Sequence, residues 1–433
     1  MRSAILPFLP LLVPCLVLAQ VTPEERRIIQ AVDSLAPAAV ELLARSVDLN
    51  SGTMNVAGVR RVGELYQAEL DALGFATRLI PMDAVARGPH LFGERSGTGP
   101  RVLLIGHLDT VFEPDSPFQR WERVDQRTAR GPGTEDMKGG NVVIVLALQA
   151  LRAAGLLEGM NLVVAFTGDE EDTGDPLSIS RRDLVEAARW SRYALGFEGG
   201  VGGTGTATVA RRGFTGWRLT VKATPAHSSL IFQPAYGYGA VFELARVVNE
   251  LREALAGEDY LTFNPGVSLG GTTVDFDAMQ GRGTAFGKTN VIAETAVAAG
   301  DLRTLSVAQR ERATARMRVI ASQSLPGTSS EIEFDDSSPP MDPKPANYEL
   351  LRRLNQVSLD LGLGPVEAVD PSRRGAADIS FVNAEVHAAL DGLGVVGDGG
   401  HTVNEMVDLT TIPFMAKRAA VLIYRLTREG SAP

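Results

Sequence analysis

Apolar positions along the chain follow two periods. From about Thr22 to Leu73 they recur three and four residues apart (Ile28, Val32, Leu35, Val40, Leu43), which predicts helix. Short continuous apolar runs then appear at Val102 to Ile105, Leu162 to Phe166 and Tyr193 to Phe197. Between the first two runs, a stretch from near Gly140 (Val143, Val145, Leu148, Leu151) predicts an amphipathic helix stopped by Gly155 as its C-cap. Strands alternating with helices predict an α/β domain around a mainly parallel, mixed sheet. The first run leads into Gly106-His107-Leu108-Asp109, the second into Thr167-Gly168-Asp169-Glu170-Glu171, and the third into Glu198. Open α/β sheets take their ligands beyond the carboxyl ends of the strands, so this pattern gathers polar side chains at one sheet edge.

From about Arg211 the texture changes. Phe214 to Val221 alternates like a half-buried strand. Gly239 to Leu255 reads as helix, Leu261 to Leu269 and Thr295 to Leu302 as strands, and Ala308 to Ser322 as helix. Glu331 to Phe334 alternates again and meets Ser337-Ser338-Pro339-Pro340, a return linker. The expected organisation is an N-terminal signal over 1–19, a first α/β part over 20–210, a smaller α+β insert over 211–335, and a second α/β part over 336–433. A chain of 433 residues exceeds what one core usually serves, in keeping with two domains.

The N-terminus has the layout of an export signal. Arg2 precedes an apolar run from Ala4 to Ala19, and Val17-Leu18-Ala19 resembles a cleavage site. The rival reading is a retained membrane anchor; Pro7, Pro10 and Pro14 and the short length weigh against it. The only cysteine, Cys15, falls inside this segment. A mature chain without it has no disulfide, no thiol nucleophile and no thiolate ligand, so a metal site must use His, Asp and Glu. Lipid modification of Cys15 is disfavoured by Pro14 before it. The formal net charge of −10 argues against nucleic acid or anionic lipid as partner. The expected location is secreted or periplasmic.

Five histidines occur: His90, His107, His227, His387 and His401. His107 stands two residues before Asp109. On extended backbone these side chains share a side, so the carboxylate can orient the ring, the usual support of a metal-bound histidine. A plain turn is the alternative. Asp136 lies in the glycine-rich stretch Gly131 to Gly140 ahead of a helix; the stretch lacks the closing Gly-Lys-Ser or Gly-Lys-Thr of a phosphate loop. Glu170 and Glu171 are adjacent acids after a strand. Extended backbone would turn them to opposite sides, one toward a metal and one free as a base, whereas an exposed acidic turn is the bland reading.

Taken in order, Gly106-His107-Leu108-Asp109-Thr110-Val111, Gly131 to Gly140, Gly168-Asp169-Glu170-Glu171, Phe197-Glu198, Ala226-His227-Ser228, Thr289-Asn290-Val291-Ile292 and Gly400-His401-Thr402 resemble the metal-dependent exopeptidase family of glutamate carboxypeptidase, acetylornithine deacetylase and succinyl-diaminopimelate desuccinylase. The resemblance implies a zinc-exopeptidase-like catalytic domain with an inserted lid or dimerisation domain. It implies two divalent cations, zinc first and cobalt or manganese as alternatives, bridged by Asp136. His107 and Glu198 would complete one site, Glu171 and His401 the other. Glu170 would be the general base and Asp109 the residue orienting His107, with a cis peptide after Asp136. The resemblance also implies that His227 reaches an oxyanion, often in the other subunit's site, and that Asn290 and Arg303 hold a substrate carboxylate. Gly375 falls near the family's substrate loop, but Gly375-Ala376-Ala377-Asp378 has less glycine and threonine than usual. Asp172 to Arg182 departs from the family pattern as well.

The expected function is an exported dinuclear zinc hydrolase cleaving an amide or peptide bond next to a carboxylate-bearing residue, with a small peptide or acyl-amino acid as partner and a homodimer formed through the insert. An N-acyl-amino-acid amidohydrolase shares the same metal core. A non-catalytic two-lobed binding protein would explain the export signal and two domains but not a full ligand set with a free carboxylate beside it. An inactive relative is disfavoured by the intact set.

Overall fold

A computed structural model describes residues 21–278, 280–335 and 338–429. The expected signal over 1–19, with Cys15, and Ser337 of the expected linker lie outside the described residues. Among the described residues no helix is long and apolar enough to cross a membrane.

The chain opens with α1 (Pro23–Val47), started by a capping box in which the Thr22 hydroxyl accepts the Glu25 N–H and the Glu25 carboxylate accepts the Thr22 N–H. Next come α2 (Val56–Ala72), β1 (Ala76–Met82), β2 (Arg87–Arg95), β3 (Val102–His107), α3 (Lys138–Ala153) and β4 (Leu162–Thr167). They are followed by α4 (Arg182–Arg189), β5 (Tyr193–Gly196), β6 (Gly213–Ala223), α5 (Ala240–Leu255) and β7 (Thr262–Gly271). The hairpin β8 (Thr273–Asp277) and β9 (Arg282–Phe286) leads to β10 (Thr295–Thr304), α6 (Val307–Ser322) and β11 (Thr328–Phe334). The chain closes with α7 (Pro345–Asp360), β12 (Ala388–Leu390) and α8 (Thr411–Thr427). The single helical region expected over 22–73 is two helices, separated at Asp48 to Asn55.

The large sheet has the order β1-β2-β4-β3-β5-β12. The β4–β3, β3–β5 and β5–β12 pairs are parallel, and β1–β2 and β2–β4 are antiparallel. Alternate residues feed two cores. Val102, Leu104, Val164 and Leu195 join one with α1, α3 and α8; Leu103, Ile105, Val163 and Ala194 join the other with Leu184 and Ala188 of α4. Burial on both faces is why these strands read as unbroken apolar runs.

The smaller sheet is antiparallel, in the order β7-β10-β6-β11. Trp217, Leu219 and Val221 of β6 pack with α5 and α6 in a core of their own. The architecture is therefore a mixed, mostly parallel α/β domain carrying an α+β insert. Where the chain crosses between the two, Arg211 and Met341 pair across an antiparallel bridge.

Candidate metal centre

Strand ends and one helix start build the site. β3 delivers His107 and, just past its end, Asp109; β4 leads into Glu170 and Glu171; β5 leads into Glu198. Asp136 arrives from the other direction, one residue before the N-cap of α3. Glycines make the close approach possible. A Cβ on Gly140 would stand 1.9 Å from the Phe197 carbonyl oxygen, and one on Gly106 would stand 2.0 Å from Asn141 Oδ1. Asn141 in turn donates to the His107 carbonyl at 2.5 Å, locking α3 onto β3. The peptide bond after Asp136 is cis.

The side chains converge in two groups that share Asp136. In one, ligand atoms of His107, Asp136 and Glu198 lie within 4.8 Å of one another; in the other, those of Asp136, Glu171 and His401 do. His107 Nε2 is 3.1 Å from Asp136 Oδ1 and 3.7 Å from Glu198 Oε1. His401 Nε2 is 3.0 Å from Asp136 Oδ2 and 3.1 Å from Glu171 Oε2. His401 sits at φ 62°, left-handed for a residue with a Cβ, a conformation that costs about 1–3 kcal/mol and that functional sites tolerate.

The donors are imidazole nitrogen and carboxylate oxygen throughout, a set that suits zinc and other divalent first-row ions. Glu171 Oε1 is buried and has no hydrogen-bond partner among the described residues, an acceptor that a cation would satisfy. The electrostatics agree with a shared positive guest. Burial and the Asp136 charge push Glu198 up to about 8. Burial and the Glu198 charge raise Glu170 well above the usual carboxyl range. Burial opposes charge on His107, but its contacts with Asp109 and Asp136 outweigh this and raise it. Burial likewise opposes charge on Asp136, yet its hydrogen bonds to both imidazoles hold it far below the usual range.

Asp109 meets the His107 ring through both its backbone carbonyl, 3.0 Å from Nδ1, and its side chain. Its Oδ1 is 3.3 Å from His107 Nδ1, while its two oxygens accept the backbone N–H groups of Glu170 and Glu171 at 3.0 and 3.1 Å and the Thr53 hydroxyl at 2.7 Å. Glu170 and Glu171 do not lie on extended backbone, as expected above, but on a bend and turn just past β4. Their separation comes from that turn, held by Asp109, rather than from strand alternation.

The family profile described as peptidase family M20/M25/M40 matches residues 103–425. The chain belongs to this family. It is thus a metal-dependent peptide or amide hydrolase, an M20 enzyme. It is 25% identical over 404 residues to carboxypeptidase G2 of Pseudomonas sp. (strain RS-16), covering 92% of this chain and 91% of that one. It is also 25% identical over 412 residues to succinyl-diaminopimelate desuccinylase of Gluconacetobacter diazotrophicus, covering 91% and 99%. Its fold is similar to that of a dinuclear metal-binding M20 peptidase from Bacillus subtilis, with a TM-score of 0.64, 14% identity and coverage of 92% and 99%.

The remaining expected site residues of this M20 chain fall in two places. His227 is exposed on the insert, its Nδ1 accepting the Ser229 N–H at 3.2 Å. It pairs with Val291 across a bridge, and Ser228 donates to the Asn290 carbonyl at 2.9 Å, so His227 and Asn290 are neighbours. Arg303 lies elsewhere. Its Nη1 is 3.7 Å from where a Cβ on Gly375 would stand, and its Nε is 2.9 Å from Asp301 Oδ2. Asn290 precedes β10, and Arg303 is near its far end, a span of about 27 Å from Thr295 on. Asn290 and Arg303 therefore stand toward opposite ends of β10.

Several residues of the site's surroundings escaped the sequence reading. Glu405 is fully buried and accepts N–H groups from Gly133 (3.1 Å), Glu135 (2.8 Å) and Asp136 (3.1 Å), fixing the loop that presents Asp136. Buried Lys138 donates to the carbonyls of Ser46 and Leu49, each at 3.0 Å. Arg211 pairs with Asp391 at 2.6 Å and donates to the Gly375 carbonyl at 3.1 Å; Arg374 donates to the Gly199 carbonyl at 3.2 Å. No local pattern marks these residues, since their partners lie far away in sequence.

Proposed function

We propose that this M20 hydrolase binds two divalent cations, with zinc the first candidate, and cleaves an amide or peptide bond beside a carboxylate-bearing residue. The observation that carries the reading is the pair of ligand groups hinged on Asp136. Bound cations would supply Lewis acidity and a water acidified to near neutrality. His107, Asp136 and Glu198 would hold one, and Asp136, Glu171 and His401 the other.

The chain's own residues do the rest. Glu170 takes a proton from the attacking water and returns it to the departing nitrogen. Its raised proton affinity, from desolvation and the neighbouring Glu198 charge, suits a group that must hold a proton before delivering it. Asp109 holds the Glu170 and Glu171 amides and the His107 ring in register. Arg303, whose Nη1 lies near Gly375, stands where the substrate's carboxylate would lie, and guanidinium can grip it bidentately.

His227 and Asn290 serve the site of a second copy in this reading, His227 toward the oxyanion. Their distance from Arg303 supports it. So does the exposed apolar groove of about 560 Å³ between α5 and edge strand β7, lined by Val241, Leu244, Val248, Phe263 and Pro265. Export to the periplasm or beyond completes the proposal, supported by the Arg2 start and the apolar run to Ala19.

Carboxypeptidase or dipeptidase activity is the first reading, in line with the relative named carboxypeptidase G2. Removal of an acyl group from an amino acid is the second, in line with the desuccinylase. A panel of dipeptides and N-acyl-amino acids, each with a chelator control, separates them. Glu170→Ala should keep two equivalents of metal and lose turnover by about 10²–10⁴-fold. Unchanged turnover in that variant would reject the mechanism.

A further inference from the structure

We propose that Arg181 is a positioning residue that aligns the turn carrying the catalytic base. It lies in Asp172 to Arg182, the stretch where this chain departs from its family's usual continuation after the paired glutamates. The inference rests on the reading of Glu170 as base.

Arg181 is 2% exposed and stands between two buried carboxylates. Its Nη1 is 2.5 Å from Asp169 Oδ1 and its Nε is 2.8 Å from Asp378 Oδ1. Its Nη2 also donates to the Asp169 carbonyl at 3.1 Å and to the Thr173 hydroxyl at 3.3 Å. One guanidinium thus grips both ends of the turn around Glu170, at residues 169 and 173. Asp169 is tightened further by the Gly174 N–H at 2.9 Å and the Ser180 hydroxyl at 2.6 Å.

The other end of the bridge lies beside the candidate metal ligands. Asp378 lines a small internal cavity with His107, Glu198 and Asp391, and it accepts the hydroxyl of Thr167, the last residue of β4. Asp378 also begins the short helix Asp378–Val382, three residues after Gly375. Arg181 therefore ties the base turn to the element that follows the Gly375 loop. Burying one cation between two anions adds little net stability over apolar packing. What it contributes is direction: the planar fork fixes Asp169 through hydrogen bonds, while its Nε meets Asp378 Oδ1 as a close charge contact.

Lysine keeps the charge but cannot span both partners, so Arg181→Lys is the test. The variant should fold and keep its metal content, while kcat falls about 10²-fold, the cost of a displacement near 1 Å, and KM stays within about threefold. Hydrogen exchange at the Glu170 and Glu171 amides should speed about tenfold, with Leu103 to Ile105 unchanged. A purely structural role gives a lower Tm with wild-type kcat and uniformly faster exchange, and that result overturns the proposal, as does a change confined to KM. Should Arg181→Lys fail to fold, Asp378→Asn decides. It removes one half of the bridge with little change of shape, and wild-type kcat with wild-type exchange at 170 and 171 in that variant equally overturns the proposal. If the unaltered protein hydrolyses nothing in the substrate panel, the substrate reading fails alone, because the exchange measurement still decides the role of Arg181.

Discussion

Asp109 accepts the backbone N–H of Glu170 at 3.0 Å, so the residue that faces His107 also sets where Glu170 stands. Its second oxygen takes the Glu171 N–H at 3.1 Å, so both glutamates leave the end of β4 from a single anchor. Asp109 is fully buried, and burial favours its neutral form; its contacts with His107 outweigh this and hold its carboxyl below the usual range. One carboxylate thereby links His107 at the end of β3 to Glu170 and Glu171 after β4.

Asp109→Asn preserves shape but offers one acceptor where the native site uses two. One of the two glutamate amides then faces an NH₂ group. Supports of this kind typically cost 10–100-fold, so kcat/KM or metal affinity should fall by about that factor. Steady-state kinetics with a metal titration measures it, and the far-ultraviolet spectrum should remain unchanged.

Glu405 is the second test. Glu405→Ala strands three backbone N–H groups in the interior, each worth about 1–3 kcal/mol when left unpaired. The sum is about 3 kcal/mol or more, visible as a lower midpoint in denaturant. Because the loop also carries Asp136, both metal equivalents should bind more weakly. Equal metal affinity in the variant would mean that the loop holds its shape without Glu405.

A pH effect follows from His90, a histidine outside the ligand set. Its Nδ1 accepts the Gly168 N–H at 2.8 Å and its Nε2–H donates to the Ser180 carbonyl at 2.9 Å, which fixes a neutral tautomer. Burial lowers its pKa below the ordinary 6.5. Below that value the unfolded chain takes up a proton that the folded chain refuses. Stability is then fully present above pH 6.5 and is lost as the pH falls toward the folded value. Thermal unfolding between pH 7 and 5 should show a shallower acid loss in His90→Gln than in the native protein; parallel curves would remove His90 from the account.

Much of the candidate site was legible in the sequence because four of the five proposed ligands sit where a local pattern ends. His107, Glu171 and Glu198 follow apolar runs, and Asp136 precedes an amphipathic helix. The residues that hold those ligands were not legible. Glu405 meets Asp136 across 269 positions, and Arg374 meets Gly199 across 175. The paired glutamates show the same limit. Alternation on extended backbone accounts for two directions in principle, but here a turn held from another strand end sets them.

The sequence alone determined the order of elements, the chemistry of the donors and the family, because periodicity and residue type are local properties of the chain. Tertiary structure alone decided that Asp136 stands between two ligand groups. It decided that Arg181 bridges Asp169 and Asp378, and that Asn290 and Arg303 stand toward opposite ends of β10. Such relations depend on how strands stack and helices dock, and packing distance is not written in residue spacing.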